Sequence, residues 1–292
     1  MKYQRFSDAG AFYDAAFSVL LRDEAQNSLP LGNAILGKNG GEPDGWRNPQ
    51  NWYMATVSDE SGVVLTAIMT PPFNLTLYET DNLPRAGALE SLCQNILAEG
   101  IDIPGVTCEK QLAERFAAVF CPLTTAAPHI HKNLRVYKLT QVEASIPRIG
   151  SLRLATPSDL HFLPYWHQGF HADCGMGTPE LPEEFSAVSR FVSRERLFVL
   201  EHDGMPVSMA GISREIITGS CVGMVYTPPY LRAKGYAMSC VAQLSELILA
   251  RGQRCASLFT DLANPTSNSI YQKIGYRPVC DYSEMRFTKA GE

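Results

Sequence analysis

The sequence contains no Cys-x-x-Cys pair, no polybasic run and no long apolar stretch. Its eight cysteines, at 93, 108, 121, 174, 221, 240, 255 and 280, never stand closer than 13 positions. That removes the close spacing that zinc and dithiol sites use. Spread through apolar segments such as Ser91–Leu97 and Gly235–Ala242, they read as small buried thiols rather than a disulfide framework. The longest nearly apolar stretch, Val63–Met69, is far short of the ~20 residues of a membrane-spanning helix. Met1–Leu20 carries polar residues throughout and no apolar leader core. Thirty acidic against 25 basic residues give a net charge of −5, with neither half basic enough to coat nucleic acid. No Gly-x-Ser-x-Gly elbow occurs, and Gly37–Gly41 lacks the Lys-Ser/Thr that ends a Walker loop. These absences predict a cytoplasmic protein with neither a membrane nor a nucleic acid as partner.

What is present is ordinary globular material: 292 residues, 45% hydrophobic and 19% charged. At roughly 150 residues per domain the length allows two domains, each able to bury its own core. The first half opens with a helix capped near Ser7-Asp8-Ala9 and running to about Arg22. A hairpin follows over Trp52–Ser58 and Val63–Thr70, with a further strand at Asn74–Tyr78. Helical spacing then covers Arg85–Ala98 and Cys108–Phe120, and a strand Arg135–Val142. Ala144–Gly150 is the best boundary, giving domains at 1–145 and 151–292. The second half restarts the same order, with a hairpin turned at His202-Asp203-Gly204, a strand at Ser220–Tyr226 and a helix at Gly235–Ala250. A strand at Ala256–Thr260, a helix at Thr266–Lys273 and a closing strand near Val279–Phe287 follow. This grammar predicts an α/β fold of two tandem mixed sheets flanked by helices.

The chemistry concentrates in Val225-Tyr226-Thr227-Pro228-Pro229-Tyr230-Leu231-Arg232-Ala233-Lys234-Gly235-Tyr236-Ala237. A strand ends, two prolines turn the chain out, and a basic loop enters an amphipathic helix. Backbone N–H groups and the helix dipole make such a start an anion site, and glycine permits close approach. A second segment joins Asn264, a helix N-cap, to Tyr271 seven positions on and to Gly275-Tyr276, a glycine helix stop.

Together these segments resemble the GCN5-related N-acetyltransferase (GNAT) family, whose loop Arg/Gln-x-x-Gly-x-Gly/Ala is matched by Arg232, Gly235 and Ala237. The resemblance implies an acetyl-CoA-dependent N-acetyltransferase acting on a small-molecule amine, with acetyl-CoA or another acyl-CoA as co-substrate and no metal. It implies that Arg232, Ala233, Lys234, Gly235, Tyr236 and Ala237 cradle the diphosphate. Val225, Tyr226 and Thr227 would pair with the pantetheine arm, Asn264 would contact it, and Tyr271 would protonate the leaving thiolate. Ala233 stands where relatives often have glycine, and a helical conformation there would tolerate it.

The carboxylate base that many relatives carry on the preceding strand is missing from Gly219–Tyr226, and Glu215 is the nearest candidate. That gap keeps open a second reading, an acyl-CoA-binding module without turnover. The acceptor would enter along His167–Glu184, whose Asp173, Glu180, Glu183 and Glu184 suit an amine. His167 and His171 stand four apart, with no third metal ligand at a defined spacing, and His129-x-His131 lies in a loop and strand start. The first half reads as a degenerate copy. Its Leu75–Ala86 ends without the loop motif, and Asp81 would repel a diphosphate there.

Overall fold

Near-continuous runs of apolar and β-branched residues, buried on both faces, make Tyr53–Asp59 (β2) and Gly62–Met69 (β3) an antiparallel hairpin, as the turn residues between them predict. The computed structural model describes residues 1–42 and 45–288. No helix among them is long and apolar enough to cross a membrane. They form two units that do not divide at 145–151. The first holds residues 1–136 and 260–263 and the chain from Val279, and the second holds 137–259 and 264–278.

The reason is the last strand, Arg277–Thr288 (β12). It pairs antiparallel with Gly105–Glu109 (β5), from Tyr282 opposite Glu109 to Arg286 opposite Gly105. Asp281 also takes a bidentate ion pair from Arg135, at 2.7 and 3.0 Å. The end of the chain therefore completes the first sheet.

In the first unit, Lys2–Phe6 (β1), β2, β3 and Leu75–Glu79 (β4) form an antiparallel run, and β4 joins β5 in parallel. Ala9–Leu20 (α1), capped by Asp8, and Ser28–Lys38 (α2) accompany that sheet. Ala88–Ala98 (α3) and Lys110–Thr124 (α4) bury Leu92, Ile96 and Phe116 against Leu65, Leu77 and Val106. Three elements escape the sequence reading. β1 and α2 carry weak periodicity. β5 runs straight into α4 with no turn between them, so the expected helix at Cys108 starts two residues late; the Glu109 carboxylate caps it by accepting from Leu112 N–H at 3.0 Å. The strand expected from Arg135 begins at Ala127 (β6, Ala127–Leu139), where exposed, polar residues hide it.

The second unit contains Ser151–Leu154 (β7), Leu163–Asp173 (α5), Leu181–Ser193 (α6), Leu197–His202 (β8) and Met205–Glu215 (β9). Gly219–Tyr226 (β10), Tyr236–Ala250 (α7), Cys255–Asp261 (β11) and Pro265–Ile274 (α8) follow. β7 to β10 are antiparallel neighbours, and β10 meets β11 in parallel. α7 lays Val241, Leu244 and Ile248 on the sheet over Leu200, Ala210 and Val222. Leu163, Val188 and Val192 from α5 and α6 pack with Leu197, Met209 and Met224 in a second cluster.

Entry to α5 is fixed by one buried acid. Asp159 accepts both terminal nitrogens of Arg153, at 2.7 and 2.8 Å, and the N–H of Thr156 at 2.7 Å. The guanidinium holds its carboxyl at about 2. Because the folded value lies below the unfolded one, the contribution to stability is complete above pH ~4 and disappears as pH falls toward 2. Asp159→Asn is expected to cost roughly 2 kcal/mol at pH 7, with the gap between variant and wild type closing from pH 4 to pH 2 in urea melts. A gap that is the same at both ends would assign the loss to packing instead.

Candidate functional site

β10 has two irregularities that shape everything near its end. It pairs with β11 only over Gly219–Cys221, so from Val222 onward that edge has no strand partner among the described residues. Opposite β9, three β10 steps from Gly223 to Tyr226 match two steps from Gly211 to Met209. This bulge carries Met224 at φ 52°. The sheet thus opens a notch with free backbone N–H and carbonyl groups along one side.

The chain leaves the notch through Thr227, Pro228 and a short 3-10 turn at Pro229–Leu231. Arg232 ties the exit down. Its Nε donates to the Thr227 carbonyl at 2.9 Å, its terminal nitrogen pairs with Asp173 at the end of α5, and its guanidinium lies 5.7 Å from the Tyr226 ring centre. Gly235 is the N-cap of α7 at φ 83°, and no side chain caps that helix. The first intrahelical bond joins Ser239 N–H to the Gly235 carbonyl at 3.0 Å. The N–H groups of Tyr236, Ala237 and Met238 therefore have no helix acceptor and are available to an anion. A side chain at Gly235 would be strained and would bring its Cβ to 3.1 Å from Ile149.

The loop residues divide by role. Lys234 is exposed beside the helix start. Tyr236 is buried with its ring 5.4 Å from that of His202, so its backbone, not its phenol, faces the loop. The Tyr226 carbonyl accepts from Ser208 Oγ at 3.0 Å, and Thr227 Oγ1 meets the same hydroxyl at 2.9 Å. Thr227 is thus an anchor, and Val225 lies on the free edge. Ala233 is not helical. It sits at φ 62°, in the left-handed region, which explains why a glycine suits that position.

On α8, Asn264 accepts the Ser267 N–H through its side chain at 3.0 Å, and Gly275 ends the helix at φ 118°. Tyr271 is 8% exposed, with its ring centre 6.5 Å from Tyr137 and 6.0 Å from Tyr276. Its hydroxyl makes no hydrogen bond among the described residues, yet it is not one of the sealed unpartnered polar atoms. Burial, reinforced by the Cys174 thiol, pushes its pKa well up and keeps the phenol protonated.

The flanking helix brings groups that the linear sequence hides. Gly169 on α5 lies against the Tyr226 hydroxyl so closely that a Cβ there would come within 2.4 Å of it. A glycine inside a helix was the available signal for that contact. Glu184 does not line an acceptor path. It is 1% exposed and holds the Nδ1 atoms of both His167 and His171. Asp173 is engaged by Arg232. Glu215 lies opposite Ser220, six residues from Tyr226 and so ~20 Å along the strand. It pairs with Arg196 and cannot reach the notch as a base.

The first unit repeats the geometry with a different filling. β4 and β5 pair only at Leu75 and Thr76 and then part. Gly87, just past the segment without the motif, is the left-handed N-cap of α3 at φ 80°, also without a side-chain cap. Here Glu79, buried at the end of β4, pairs with Arg115 and accepts the Arg85 N–H at 3.1 Å. Asp81 lies ahead of the loop, paired with Arg22 at 2.7 Å, rather than at the helix start.

Two units that each part a parallel strand pair before a left-handed glycine turn are two copies of one fold. Residues 207–285, which include the basic loop and Tyr271, match the family model described as FR47-like protein. Among solved structures, a GCN5-related N-acetyltransferase from Sphaerobacter thermophilus superposes with a TM-score of 0.65 at 14% identity, covering 99% of this chain and 97% of that one. A tandem GNAT protein from the clavulanic acid biosynthesis pathway gives 0.61 at 14% identity, covering 100% and 99%. This is a tandem GNAT fold. A GNAT-family acetyltransferase from Colwellia psychrerythraea extends the agreement, with a TM-score of 0.58, 11% identity and coverage of 99% and 100%. No curated protein matches the sequence. In this tandem GNAT fold the first copy lacks the basic loop, and its Glu79 accepts the Arg85 N–H.

Ala233→Gly removes a left-handed alanine and is expected to raise stability by about 0.5–1 kcal/mol in denaturant titrations. A loss of stability would mean that the Ala233 methyl contributes packing that outweighs its strain.

Proposed function

We propose that the second unit is an acyl-CoA-dependent N-acyltransferase, with acetyl-CoA as donor and a small-molecule amine as acceptor. The observation that carries this reading is the order of three features: a free strand edge, a basic loop with a left-handed glycine, and an uncapped helix start. The donor supplies an activated thioester. The N–H groups of Tyr236, Ala237 and Met238, with Lys234 beside them, suit its diphosphate. The edge from Val222 to Val225 offers backbone groups that would align an amide-bearing arm and polarise a carbonyl, as strand addition does elsewhere. Tyr271 donates its proton to the departing thiolate as the new C–N bond forms and the C–S bond breaks, and the proton shed by the amine nitrogen passes through water to restore the phenol. Arg232, with its guanidinium held by Asp173 and the Thr227 carbonyl, sets the loop in place and adds positive charge from behind.

Calorimetric titration with acetyl-CoA is expected to give one binding event in the wild type and none in Gly235→Glu, which brings a carboxylate to the diphosphate position. No heat at near-millimolar acetyl-CoA would end this reading. For Tyr271→Phe, turnover is expected to drop roughly 100-fold while acetyl-CoA affinity stays unchanged. Equal turnover would return Tyr271 to the core.

One observation favours a second reading. Neither Gly219–Tyr226 nor the distant Glu215 supplies a carboxylate base, which suits a module that binds acyl-CoA without turning it over. Release of free CoA thiol in the presence of pooled amines separates the two. Release above the hydrolytic background supports transfer, and binding without release supports the module.

A further inference from the structure

We propose that His167, His171 and Glu184 bind one divalent transition-metal ion of the zinc or cobalt class, joining α5 to α6. The two histidines lie one turn apart on the same face of α5, with ring centres 4.4 Å apart. Glu184, in the first turn of α6, supplies the third group that the linear spacing lacks. Candidate ligand atoms of all three lie within 4.8 Å of one another. An ion ~2 Å from each ligand asks for donor atoms about 3.3 Å apart. The His171 Nδ1 and Glu184 Oε1 atoms are now 2.6 Å apart, so a small side-chain rotation admits it.

Charge supplies the driving force. Glu184 and His167 are 1% and 5% exposed, and Glu184 has no Arg or Lys partner among the described residues. A buried carboxylate between two imidazoles, with no Arg or Lys beside it among the described residues, calls for a cation. A divalent ion meets that need while leaving both imidazoles neutral, the form in which they ligate. Imidazole donors select zinc, cobalt, nickel or copper over magnesium and calcium. His171 is the partly exposed member, with 21% of its side chain accessible, so exchange with solvent runs past it. The geometry has the residue logic of two histidines at i and i+4 with a glutamate from another helix. Nothing in it depends on acyl transfer.

The test uses the full chain, stripped with a chelator and titrated with cobalt(II) chloride. The expected result is one equivalent bound, with the visible bands of four- or five-coordinate cobalt, displaced by zinc and not by magnesium. His171→Ala and Glu184→Gln are each expected to weaken binding by more than the roughly 10–100-fold that an outer-shell partner carries. Circular dichroism checks that both variants fold. If the wild-type spectrum stays that of hexaaqua cobalt, the triad holds a shared proton and the proposal is overturned. Tight binding that survives in both folded variants would locate the ion elsewhere and overturn it equally.

Discussion

The parting of β10 from β11 after Cys221 is the constraint on which the second unit depends. Two parallel strands that stay paired leave no backbone group for a ligand. Once they separate, alternate residues from Val222 onward turn N–H and carbonyl groups to an edge with no strand partner among the described residues. The bulge at Met224 turns the strand, and the two prolines prevent it from continuing. The chain then has only a few residues in which to reverse into α7. Left-handed Ala233 and Gly235 accomplish this, and as a result the open helix start lies directly after the open strand edge. Uncapped helix start and open strand edge are thus consequences of one break in a sheet.

Arg232 shows how charge is managed around that break. A guanidinium in an exposed basic loop would be expected to reach outward, yet this one is anchored to the Thr227 carbonyl and to Asp173. Its cost in side-chain entropy is met before any ligand arrives, so the loop is preorganised. The arrangement also makes α5 part of the loop's support. Gly169 lets that helix come close enough to Tyr226 for the ion pair to form.

The strongest local signals were legible in the sequence. Prolines 228 and 229, Gly235, Asn264 and Gly275 each declare a backbone geometry that only a few residue types accept, and the structure has that geometry at all five. Ala233 failed for the complementary reason, since alanine declares nothing about a left-handed turn. Glu184 failed because its role is set by a partner on another helix. A glutamate among Asp173, Glu180 and Glu183 reads as one more acid lining the acceptor's path, and only folding brings it between two histidines. The division of the chain was hidden in a different way. Tyr282 and Met285 look like any closing strand, and which sheet they complete depends on long-range pairing with β5 rather than on local pattern.

The two copies differ less in backbone than in what fills it. Both part their parallel strands early and both start the next helix on a left-handed glycine, at φ 80° and φ 83°. Backbone geometry at the helix start is therefore the same in both copies. The difference is electrostatic. In the first unit the buried carboxylate of Glu79 accepts the Arg85 N–H and pairs with Arg115, so one loop donor and that guanidinium already have an anion. A diphosphate arriving there would find the Arg85 N–H already bonded and the Arg115 guanidinium already paired. In the second unit the corresponding strand end is Tyr226, a neutral residue, and the acid in the neighbourhood, Asp173, is already paired with Arg232. The residue type at the end of one strand, Glu79 or Tyr226, thus sets whether the notch holds a carboxylate of its own.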